Sequence, residues 1–154
     1  MPYFNFGPPG NGDQCTKSTV TTALLNGTTL FTIAGGPIEV LELQSVCTTV
    51  QQAVATTLQY SSSPTVGSAT VFSGASSSLS GVAAGTTVSL AKATLATAPT
   101  VTLASAGGIP ATTASFDRVI IQAGTITMVT TNDGTGAWSH YMRWRPMGPA
   151  VTVV

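Results

Sequence analysis

Hydrophobic and polar residues alternate over short stretches of this chain, and glycine or proline breaks the alternation at close intervals. From Thr19 onward the stretches are built from Thr, Val, Ile and Leu, residues that fit a pleated, half-buried surface. They predict strands over 28–33, 38–48, 69–72, 86–91, 100–104, 116–122, 125–131 and 137–145. Ala34-Gly35-Gly36-Pro37 and Ala123-Gly124 read as tight turns, and Asn132–Gly136 as the turn of a closing hairpin. Within 38–48 the alternation slips at Val40-Leu41, which predicts either a bulge or a strand covered on both faces. Glu39 and Glu42 fall on opposite faces of a regular pleat and read as solvated positions near an edge.

Residues 50–60 fit two templates. Val50, Val54, Leu58 and Tyr60 follow a strand period, whereas Val46, Val50, Ala53 and Thr57 make a helical stripe. Threonines 48, 49, 56 and 57 favour the strand, because β-branched side chains lose χ1 freedom in a helix. Ser61-Ser62-Ser63-Pro64 is expected to close that element. The strand over 137–145 places Trp138, His140, Met142 and Trp144 on one face and Ala137, Ser139, Tyr141, Arg143 and Arg145 on the other, a pattern of one-sided burial. Pro146, Gly148 and Pro149 stop it, leaving a tail over 150–154. The expected fold class is all-β, an antiparallel β-sandwich over residues 19–154. Pro2, Pro8 and Pro9 fix φ and remove donors, so residues 1–18 are expected as an extended N-terminal arm. That arm carries Tyr3, Phe4 and Phe6, which could bind the chain's own core or a partner.

Charge narrows the function. Five basic and five acidic residues in 154 give no net charge, and Ser and Thr make up about a quarter of the chain. Five scattered cations cannot displace phosphate counterions along a stripe, so nucleic-acid binding is not expected. No apolar run approaches the roughly 18 residues of a membrane span. A neutral surface offers little colloidal protection to a free monomer and points to life in an assembly. The charges avoid the stretch from Ser61 to Thr113 apart from Lys92, which makes it the first place to look for surface hidden by neighbours. The start of the chain has neither a basic leader nor an apolar stretch, so synthesis in a cytosol is expected, with Cys15 and Cys47 as free thiols. Asn26-Gly27-Thr28 has the glycosylation-acceptor pattern and is read as a turn.

Candidate chemistry is sparse. The five acids show no pair placed to converge on one bond. His140 is the only imidazole; flanked on its face by Trp138 and Trp144, it reads as a packed histidine and not as a catalytic base. No Gly-x-Ser-x-Gly elbow or phosphate-cradling glycine pattern occurs. Neither Asn11/Asp13/Gln14 nor Asn132/Asp133 reaches the ligand count of a calcium loop, and two cysteines with one histidine make no zinc pattern. Trp138, His140, Tyr141 and Trp144 could stack a sugar ring, but aromatics at such a position read as core. No enzyme activity, cofactor or metal is expected.

Two stretches carry a resemblance. One runs Leu30-Phe31-Thr32-Ile33-Ala34-Gly35-Gly36-Pro37-Ile38, then Val40-Leu41 and Cys47-Thr48-Thr49-Val50-Gln51. The other runs from Gly124-Thr125-Ile126 through Thr135-Gly136-Ala137-Trp138 to Met142-Arg143-Trp144-Arg145-Pro146-Met147. Together they cover about a third of the chain and resemble the capsid decoration, or cement, proteins of tailed bacteriophages. The resemblance implies a sandwich or jelly-roll-like subunit, often a homotrimer, that sits on the virion surface and bridges neighbouring major capsid proteins. It brings no catalytic residues. The residues expected to meet partners are Tyr3, Phe4 and Phe6 on the arm and Trp138, Tyr141 and Trp144 near a symmetric subunit contact. The competing expectation is a receptor- or glycan-binding module of a phage tail or fibre, with the aromatic hairpin and Ser/Thr loops as its recognition surface.

Overall fold

A computed structural model describes residues 14–90, 100–102 and 119–154, the side chains of 14–21 and 100–102 excepted. Its strands are β1 (Gln14–Thr22), β2 (Thr29–Ala34), β3 (Ile38–Thr49), β4 (Leu58–Pro64), β5 (Thr70–Val71), β6 (Thr87–Ser89), β7 (Thr100–Thr102), β8 (Val119–Ile121), β9 (Gly124–Thr130), β10 (Ala137–Pro146) and β11 (Thr152–Val153). They form two antiparallel sheets. The first runs β1-β10-β3-β6-β7, with β8 also paired to β3; the second runs β11-β2-β9-β4-β5. The expected all-β sandwich is what the chain forms.

Most connections between long strands cross from one sheet to the other. β1, β3 and β10 belong to the first sheet, while β2, β4 and β9 belong to the second. The expected closing hairpin is therefore an arch, because Asn132–Gly136 joins β9 in one sheet to β10 in the other. The two inner faces share one core. β10 contributes Trp138, Met142 and Trp144; β3 contributes Ile38, Val40, Leu43 and Cys47; across from them lie Phe31, Ile33, Leu58, Tyr60, Ile126 and Met128. Alternate residues of β9 and β10 are buried, as period two demands of a strand with one wet face.

The slip in β3 is a bulge. Arg143 pairs with Glu42 and Trp144 with Val40, so Leu41 is the extra residue. It resets the pleat and brings Glu39 and Glu42 to the same outer face, where regular alternation would have separated them. Nor is β3 an edge: β10 covers one side, and β6 and β8 share the other. Glu39 meets Arg145 at 3.5 Å and Glu42 approaches Arg143 at 4.0 Å. The Glu42–Arg143 pair is exposed and adds at most about 1 kcal/mol, whereas the Glu39 side chain is largely covered.

Three other boundaries differ from expectation. Residues 50–57 are irregular, and the strand starts only at Leu58. Val50 is exposed, so the apolar period there marked no core face. Ser61–Pro64 do not close the element but continue β4, paired with Gly124–Thr127. The far edge of β4 is covered by the segment after β5. Phe72 N and Ser76 N donate to the carbonyls of Tyr60 and Leu58 at 3.0 Å each. In return the buried hydroxyls of Ser73 and Ser76 accept from Tyr60 N at 2.8 Å and Leu58 N at 2.9 Å. Serine side chains thus complete a ladder that the backbone alone leaves open. At the N-terminus, β1 begins at Gln14, so residues 14–18 of the expected arm are strand paired with β10. Residues 116–118 of the strand expected over 116–122 lie outside the described residues.

Candidate functional site

The aromatic and basic strand β10 is where sequence reasoning placed most of the chemistry, and the pleat divides its residues. Trp138 and Trp144 are 0% and 2% exposed and belong to the core. Tyr141 is half-buried on the outer face with Arg143 and Arg145, and its cross-strand neighbours are Lys17 and Gln44. The three residues expected at one subunit contact therefore do not lie together: both indoles are spent on the chain's own interior, and Tyr141 alone faces outward. The same burial removes the aromatic platform for a sugar ring. Tyr3, Phe4 and Phe6 lie outside the described residues.

Sequence reasoning missed a polar cluster between the sheets. His140 and Ser45 are direct cross-strand partners on β10 and β3, and the Ser45 hydroxyl lies 2.6 Å from His140 Nδ1. That hydroxyl also shares a 2.9 Å hydrogen bond with the Tyr60 hydroxyl, which comes from β4 in the opposite sheet. The chain Tyr60–Ser45–His140 thus links the two layers through the core. All three side chains have no exposed surface, and His140 Nε2 has no hydrogen-bond partner. Desolvation pulls the imidazole pKa down to about 4, and burial pushes the Tyr60 phenol well above its ordinary range. A serine beside a histidine is the start of a nucleophilic dyad, but a nucleophile must meet its substrate, and these atoms are enclosed. The arrangement satisfies the Tyr60 and Ser45 hydroxyls and His140 Nδ1, and it ties one sheet to the other.

A buried amide organises the β9–β10 arch. Gln51 Oε1 accepts from Gly136 N at 3.2 Å and from Trp138 Nε1 at 3.4 Å, while Gln51 N donates to Val82 O at 3.1 Å. A Cβ on Gly136 would sit 2.8 Å from both Gln51 Cα and Thr49 O, so only glycine lets the arch close over the amide. The signal in the sequence was the Gly134-Thr135-Gly136 pair, which marks close backbone approach as readily as a hairpin turn.

Cys47 is a free, buried thiol whose Sγ donates to Thr49 O at 3.1 Å, and burial raises its pKa. Cys15 pairs with Arg143 and Cys47 with Trp138, five positions apart on β10 and about 17 Å along the strand, too far for a disulfide. Beside the bulge, a recess lined by Val40, Leu41, Glu42, Leu43, Leu90 and Val119 has room for about one water, 10 Å³. Among the described residues, no three of His, Cys, Asp and Glu are grouped to hold a metal.

The outer faces differ in charge. The described ionic side chains are Glu39, Glu42, Asp133, Arg143 and Arg145; four lie on β3 and β10, and Asp133 lies in the arch. The second sheet has no charged residue in any of its five strands. Its strands carry hydroxyl rows in register, Thr29–Thr127–Ser61 and Thr32–Thr125–Ser63, with Val71 continuing the first row; Ser61 is buried, and the others are at least partly exposed. No protein-family model, curated protein or solved structure matches the chain.

Proposed function

We propose that this chain is a structural subunit that decorates and stabilises a bacteriophage capsid, with the uncharged outer face of the second sheet seated against major capsid protein. The observation that carries this reading is the partition of charge: paired ions on one sheet and none on the other. Interface cores are depleted of charge, and a flat face of hydroxyls and valines can be covered by a neighbour without stranding an ion. The strand order supports the finer fold assignment. β1-β10-β3-β6 opposite β2-β9-β4-β5 is consistent with a jelly roll, an architecture shared by viral capsid domains. On this reading the subunit assembles on itself, as a homotrimer, and the 1–18 segment supplies a further anchor through Tyr3, Phe4 and Phe6.

Binding to capsids that lack the subunit tests the proposal. Thr32→Lys places a charge on the uncharged face at an exposed position and is expected to weaken binding at least about tenfold, because an interfacial charge left unpaired costs about 2 kcal/mol or more. Arg143→Gln, on the opposite face, is expected to bind as the parent does. Equal binding by both variants would mean that the second sheet is not the docking face; no binding by the parent chain would remove the capsid reading itself. Deleting residues 2–10 is expected to abolish capsid binding while leaving the β circular-dichroism signal. Unchanged binding after that deletion would remove the aromatic anchor from the proposal.

A further inference from the structure

Among the described residues, Asn26-Gly27 and Asp133-Gly134 are the places where a side-chain carbonyl carbon precedes a glycine nitrogen that no Cβ shields. Both side chains are exposed. In an open chain such pairs cyclise. The Gly27 nitrogen loses its proton and attacks Asn26 Cγ, a C–N bond forms, and the side-chain nitrogen leaves as ammonia. Water then opens the succinimide to aspartate or isoaspartate. At Asp133 the same attack by Gly134 N expels water.

The folded chain engages both attacking nitrogens and one side-chain oxygen of each residue. Gly27 N donates to Met128 O at 2.9 Å, and Gly134 N donates to Leu24 O at 2.8 Å, so each attacking nitrogen is held in a backbone hydrogen bond. Asn26 Oδ1 accepts from Thr130 N at 3.2 Å, which fastens the carboxamide to β9. Asp133 Oδ1 accepts from Asn26 N at 3.0 Å, so the second labile side chain closes over the first. The turn between β1 and β2 and the arch between β9 and β10 therefore hold each other.

We propose that these two turns form a reciprocal lock that suppresses succinimide formation at Asn26 and Asp133. Attack must wait for both turns to open locally, and that opening is opposed by hydrogen bonds reaching from one turn to the other. The lock suits a chain that persists long after synthesis, and it stands whether or not the chain sits on a capsid.

Peptide mapping by mass spectrometry tests it on the full chain held at mildly alkaline pH, folded in one arm and unfolded in urea in the other. Deamidation at Asn26 in the folded chain is expected to run at least about tenfold slower than in urea, because it needs local opening. Equal rates in the two arms overturn the proposal. Asp133→Ala frees Asn26 N and is expected to speed the folded-state reaction several-fold without changing the rate in urea, whereas Asp133→Asn keeps the acceptor and should stay slow. If Asp133→Ala deamidates in the folded state as slowly as the parent, the two turns do not lock each other.

Discussion

Replacing Trp138 with alanine is expected to lower stability by about 3–5 kcal/mol, the range for emptying a large aromatic site in a core. The indole has no exposed surface, and its cross-strand partner Cys47 and the side-chain oxygen Oε1 of Gln51 are buried beside it. The loss is a large part of the roughly 5–15 kcal/mol that keeps a domain folded, so the urea midpoint should fall steeply. Trp138→Phe refills most of the space but leaves Gln51 Oε1 with only the Gly136 donor, and should cost about 1–2 kcal/mol. Tyr141→Ala, on the outer face of the same strand, should cost less than Trp138→Ala. A Trp138→Ala chain that melts with the parent would place the indole outside the core and return it to the list of surface contacts.

Acid is expected to remove about 3 kcal/mol through His140 alone. Its folded-state pKa lies near 4, against 6.5 for a free imidazole, and each unit of difference is worth about 1.4 kcal/mol. Between those values the unfolded chain takes up a proton that the folded chain refuses. Stability is therefore full above about pH 6.5, declines as pH falls toward 4, and levels off once both states are protonated. The cause is desolvation: a charged imidazolium would sit in the core with no exposed surface and with no hydrogen-bond partner at Nε2. Urea melts from pH 7.5 to 3.5 measure the slope. His140→Gln should remove this component of it, and a variant that retains the whole acid loss would assign that loss to other groups.

The legible part of the fold was the part governed by period two. β10, β9 and β2 lie within a residue or so of their expected bounds because one face of each is core and the other is not. The irregular stretch at 50–57 was illegible for a physical reason: Val50 and Val54 keep a strand-like spacing, but the residue that matters there is Gln51, whose buried amide holds an arch more than eighty positions away in sequence. A side chain's long-range partner leaves no periodic trace. The same holds for Ser45 and Tyr60, ordinary strand residues in sequence that only the register brings to His140. Trp138, Tyr141 and Trp144 were correctly divided between two faces by alternation, yet the expectation that they share a partner contact ignored that division.

The interleaved strand order also sets a timetable for the nascent chain. β10 sits between β1 and β3, and β9 sits between β2 and β4, so neither sheet can close until the last fifth of the chain has emerged. At about 5–20 residues per second, β2, β3 and β4 wait several seconds with the edges that β9 and β10 will cover still unpaired. Pairings so distant in sequence are slow to form even afterwards. Folding of this chain therefore waits for β10, and its rate should be set by the docking of Ala137–Pro146 between two strands that were made first.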